Sequence, residues 1–107
     1  MSSWKAKKFK DFITLQRGFD LPKNSRISGK YPILSSTSIS DSHDQYKVEP
    51  PVVTTGRSGS LGVVVWSDKK AWPLNTTLWV KDFKSNDPKF IYYFLKIATL
   101  IIHIISG

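Results

Sequence analysis

His43 stands between Asp41 and Asp44, a spacing that could pair an imidazole with a carboxylate for general-base work. A lone histidine in a polar stretch reads more simply as a surface residue. Gly56, Gly59 and Gly62 suggest a phosphate-cradling loop, but the dinucleotide pattern is absent, and so are the lysine and hydroxyl that complete a P-loop. Ser58 falls one position short of a nucleophile elbow and reads as a turn serine. Glu49-Pro50-Pro51-Val52 carries the Pro-Pro core of an amino-methyltransferase motif, yet a glutamate opens it and no aromatic closes it. Nor is there a glycine-rich loop to hold S-adenosylmethionine. Asp68 with Lys69 and Lys70, like Asp82 with Lys84, offers single carboxylates where a metal-dependent nuclease needs two or more. No catalytic residue, cofactor site or metal site is expected.

The cations support a different chemistry. Sixteen Lys and Arg against eight Asp and Glu leave a formal charge of +8, which in so small a chain points to a polyanion or an acidic surface as partner, nucleic acid first. Duplex DNA is held chiefly by cations meeting phosphates and is read by short polar or bidentate side chains at base edges. Arg17, Lys23, Asn24, Arg26 and Lys30 on one loop, Ser36, Thr37, Arg57 and Ser58 on turns, and Lys69 and Lys70 supply both kinds. An arginine fork fits guanine O6 and N7, and an asparagine amide fits adenine. Arg57 could equally fix its own turn. Trp4, Trp66, Trp72 and Trp79 could stack on single-stranded bases, but beside strands they read as core.

These residues need a scaffold, and 107 residues, 40% hydrophobic and 13% aromatic, suffice for one domain spanning 1–107. Without cysteine there can be no disulfide, and two histidines are too few for a metal cluster. The N-terminus lacks the apolar core of a signal peptide, and Lys96 and His103 interrupt the apolar run Ile91 to Ile105, so a cytoplasmic protein is expected.

Lys8 to Ile13 reads as a single helical turn and Arg17 to Lys30 as a long exposed loop. Tyr31 to Leu34 is a short strand, followed after a Ser/Thr cluster by a loop from Ser40 to Lys47. Val52 to Thr55 and Leu61 to Trp66 read as a β-hairpin whose glycine-containing turn presents donors at a sheet edge. Thr76 to Lys81 alternates as a half-buried strand should. Asp87-Pro88 starts a helix, with a capping carboxylate and a proline where no N–H is needed; Phe90, Phe94, Ile97 and Ile101 then share one side. The fold class is α+β, a mostly antiparallel sheet with a short N-terminal helical turn and a C-terminal helix packed against it.

An ordered series of segments carries a family resemblance. Trp4 is followed by Leu15-Gln16-Arg17-Gly18-Phe19-Asp20-Leu21-Pro22, then Gly29-Lys30-Tyr31-Pro32-Ile33, Gly56-Arg57-Ser58-Gly59-Ser60-Leu61-Gly62 and Trp72-Pro73-Leu74-Asn75-Thr76-Thr77-Leu78, and finally Phe90-Ile91-Tyr92-Tyr93-Phe94-Leu95. Over roughly residues 4–97 the chain resembles the target recognition domain of the specificity (S) subunit of prokaryotic type I restriction-modification enzymes. The resemblance implies a non-catalytic domain that reads one half of a split DNA target. Its partners would be modification subunits that methylate adenine and a restriction subunit that cuts using ATP. Such subunits carry two of these domains separated by long helices, whereas residues 98–107 form an apolar tail, so a truncated S subunit is expected. Acidic proteins that mimic DNA would compete for the same cationic face. The rival expectation is a protein-interaction module, self-associating or binding a partner through the apolar C-terminal helix, with the positive charge incidental.

Overall fold

The computed structural model describes residues 13–36, 39–56 and 63–106. Among these described residues, seven strands and one long helix follow in the order β1 (Thr14–Arg17), β2 (Tyr31–Leu34), β3 (Ile39–His43), β4 (Val52–Gly56), β5 (Val64–Ser67), β6 (Trp72–Pro73), β7 (Thr77–Asp82) and α1 (Pro88–Ser106), with one 3-10 turn at Lys23–Ser25. They form an antiparallel sheet of order β1-β7-β4-β5 and a smaller one of order β3-β2-β6, in which β2 pairs antiparallel with β3 and parallel with β6.

Strand β4 explains the layering. Its residues Val52 to Thr55 are all buried, which marks a strand covered on both faces. Val53 joins Ile13, Val64, Val80, Ile91 and Leu95 beneath α1. Val52, pointing the other way, joins Leu34, Val48 and Ala71 beneath the smaller sheet. A further cluster of Leu21, Ile33, Trp72 and Leu74, with Phe19 against it, ties the early loop to that sheet. The result is three layers: helix, large sheet, small sheet.

The hairpin expected from the sequence is present, with Val52 opposite Ser67 and Thr55 opposite Val64. The start of α1 is also as expected: the Asp87 carboxylate accepts the Lys89 N–H at 3.0 Å, and the Asp87 carbonyl accepts that of Ile91 at 3.0 Å. Trp72 is buried, and Trp66 and Trp79 pack against the core clusters. The helical turn at Lys8 to Ile13, apart from buried Ile13, and Trp4 lie outside the described residues.

Four expectations need correction. The Ser40 to Lys47 loop is in its first half strand β3, drawn into extended form by pairing with β2 despite its polar sequence. Arg17 ends strand β1, and the segment after it is pinned: Leu21 is buried and Phe19 bridges Leu74. His43 is not on the surface but only 5% exposed, because the Ile27 backbone and the edge of the Trp72 ring close over it. Finally, α1 packs with Ile91 and Leu95, while Phe90, Ile97 and Ile101 of the stripe read from the sequence stay 48–60% exposed. The helix is apolar around most of its circumference, so spacing alone marked a stripe and contact with β4 and β5 chose its neighbour.

Candidate nucleic-acid interface

The basic loop between β1 and β2 is held at several points. Gly18 passes so close beneath β6 that a Cβ there would lie 2.1 Å from the Leu74 carbonyl oxygen, which only glycine permits. The Gly18 N–H donates to Thr77 O at 3.0 Å and that of Phe19 to Pro73 O at 2.8 Å, while the Trp72 indole donates to Phe19 O at 3.1 Å. Further along, the Ile27 N–H donates to His43 Nδ1 at 3.0 Å, and Gly29 lies against the backbone of His43 and Asp44, 2.4 Å from Asp44 Cα at its would-be Cβ. The loop therefore enters β2 with its course fixed.

Within it, Lys23 and Asn24 are exposed on the 3-10 turn. Arg26 is half-buried and donates from Nε to Leu21 O at 3.1 Å, so part of its work is to hold its own loop. Arg17 is exposed at the end of β1, its Nε 3.4 Å from Asn75 O. Ser36 is half-buried after β2. Thr37, Arg57 and Ser58 lie outside the described residues.

Lys30, Lys69 and Lys70 are brought together. Lys30 and Lys69 line one open groove with Pro32, Asp41, Ser42 and Trp66. The Lys30 ammonium lies 5.5 Å from the Tyr31 ring centre, Tyr31 meets Tyr46 at 5.1 Å, and the Lys70 ammonium lies 4.8 Å from the Tyr46 ring. A cation thus lies over each ring of a tyrosine pair, drawn there by the negative ring faces. The turn carrying Lys69 is fixed by the Ser67 hydroxyl, which donates to Lys69 O at 2.8 Å and accepts from Lys69 N at 3.1 Å. Lys47, not singled out in the sequence, lies 5.0 Å from Trp72 and 5.5 Å from Phe19. The adjacent pairs Lys30-Tyr31 and Tyr46-Lys47 were the readable signal for this patch.

Among the described residues no group of three or more His, Cys, Asp or Glu could hold a metal ion. No described helix is long and apolar enough to cross a membrane. Fixed, exposed cations beside polar side chains can bind phosphates and address base edges.

Over residues 1–107 the sequence matches the family described as the type I restriction modification DNA specificity domain. The chain belongs to that family. The specificity domain is also similar in structure to the S subunit of the type-I restriction-modification system of M. genitalium, with a TM-score of 0.69 and 22% identity over 85% of this chain. It spans only 26% of that S subunit, and at this identity the likeness concerns the fold. No curated protein matches the specificity domain.

Proposed function

We propose that the domain recognises one half of a split duplex DNA target without catalysing a reaction, as part of a type I restriction-modification specificity subunit. Membership of a DNA-specificity family carries this reading. The molecule measures 43 × 31 × 19 Å, so its long dimension spans little more than one turn of B-DNA, about 34 Å. That suits one half-site. Lys30, Lys69 and Lys70 contact phosphates beside the β2–β3 edge, with Lys23, Asn24, Arg26, Arg17 and Ser36 extending the contact surface and Thr37, Arg57 and Ser58 assigned to it on sequence alone. Its partners are the modification and restriction subunits, which supply methylation and cleavage in the cytoplasm; the domain itself needs no cofactor. Acidic DNA mimics compete for the same cations.

The exposed stripe of Phe90, Tyr93, Ile97 and Ile101 supports a further role for α1 in subunit assembly, with self-association as the outcome to be checked by native mass measurement. DNA binding is tested by fluorescence-anisotropy titration of duplex DNA across a salt series. Weak binding is expected, with log K falling linearly in log salt by about 0.9 per phosphate neutralised. Tight binding indifferent to salt would refute the proposal.

A further inference from the structure

The turn that leaves β3 is more rigid than its polar sequence suggests. At one end His43 is locked by the Ile27 N–H and the Trp72 edge, and Gly29 packs against the His43–Asp44 backbone. At the other end the N–H groups of Lys47 and Val48 both donate to Ala71 O at 3.0 Å. Between these anchors Tyr46 packs on Tyr31 and donates its hydroxyl to Glu49 Oε2 at 3.2 Å. Gln45 is left exposed, on the rim of an open recess of ≈ 400 Å³ that it shares with Tyr31, Asp44 and Tyr46.

The charges around this recess decide what it can hold. Asp44 lies within it, with an oxygen 3.6 Å from His43 Nε2. A carboxylate there repels a phosphate. Lys30, over the Tyr31 ring, and Lys70, over the Tyr46 ring, attract phosphates beside the recess. Backbone phosphates therefore seat at the flanks and leave base edges opposite the centre, where a carboxamide has both a donor and an acceptor to offer. A glutamine amide matches adenine N6 and N7 in a paired hydrogen bond, and a fixed mounting is what turns such a match into selectivity.

We infer that Gln45 is a specificity-determining residue that reads one A·T pair from the rigid Asp44–Tyr46 turn, an assignment that rests on the duplex-recognition reading above. Tyr31 and Tyr46 are positioning residues, and Lys30 and Lys70 hold the flanking phosphates.

The test is enrichment from a random-duplex library by the 107-residue chain, in wild-type form and as Gln45→Ala, Gln45→Glu and Lys70→Ala, with thermal unfolding checked for each. The wild type is expected to enrich a short motif. Gln45→Ala should lose preference at a single A·T position by roughly 5- to 150-fold and keep the rest. Gln45→Glu should move that position toward C·G, since a carboxylate accepts from cytosine N4. Lys70→Ala should weaken all sequences alike. A wild-type motif that Gln45→Ala retains at every position overturns the assignment of Gln45 and leaves duplex recognition standing. A wild type that enriches no motif overturns both.

Discussion

Replacing His43 by alanine probes how the basic loop is held to the sheet. In the folded protein His43 Nδ1 accepts the Ile27 N–H at 3.0 Å, and its ring meets Trp72 edge-on at 5.2 Å. Alanine leaves that amide without its acceptor at a cost of about 1–3 kcal/mol. Losing the ring contact adds about 0.5–1.5 kcal/mol. A total of about 2–4 kcal/mol is a large part of the roughly 5–15 kcal/mol that stabilises a domain of this kind. It corresponds to a fall in Tm of roughly 10–30 °C. Urea and thermal unfolding followed by circular dichroism at neutral pH measure it. His43→Asn, whose carbonyl oxygen can replace Nδ1 as acceptor, should recover about 1 kcal/mol. If His43→Ala lies within about 0.5 kcal/mol of wild type, as a surface substitution would, the loop is not anchored there.

Other substitutions follow from the same contacts. Gly18→Ala drives a methyl into the backbone of Pro73 and Leu74, disturbing the Gly18, Phe19 and Trp72 hydrogen bonds, and should cost about 2–4 kcal/mol in urea unfolding. Ile91→Ala should cost about 2–5 kcal/mol, but Ile97→Ala under about 1 kcal/mol, because Ile91 is 0% and Ile97 60% exposed. Equal losses in the two variants would show that the wrong face of α1 has been assigned to the core. Arg26→Ala should lower stability by about 1 kcal/mol through the lost bond to Leu21 O, whereas Lys70→Ala should leave stability within about 0.5 kcal/mol and reduce the salt slope of DNA binding by about 1.

The parts of the fold that could be read from the sequence are those with local causes. The β4–β5 hairpin follows from two β-branched runs joined by glycines, and the α1 N-terminus from Asp87-Pro88. Strand β1 could not be read, because Thr14–Arg17 owes its extended form to β7 some sixty residues on. Strand β3 could not either: Ile39-Ser40-Asp41-Ser42-His43 is a polar strand that, among the described residues, pairs with β2 alone. His43 reads as a surface residue until Trp72 and Ile27 arrive from elsewhere in the chain. At the candidate site, Lys30, Lys69 and Lys70 were visible as cations, but it takes the Tyr31–Tyr46 contact to link Lys30 with Lys70 and to fix the turn that carries Gln45.

The most direct test of duplex recognition is an amide chemical-shift titration of the chain with a short duplex at low salt. Shifts are expected to concentrate on the Lys23–Lys30 loop, the Asp44–Lys47 turn and Lys69–Lys70, and to be reversed by added salt. Shifts confined to the exposed α1 residues Phe90, Tyr93, Ile97 and Ile101, or no shifts at all, would contradict it.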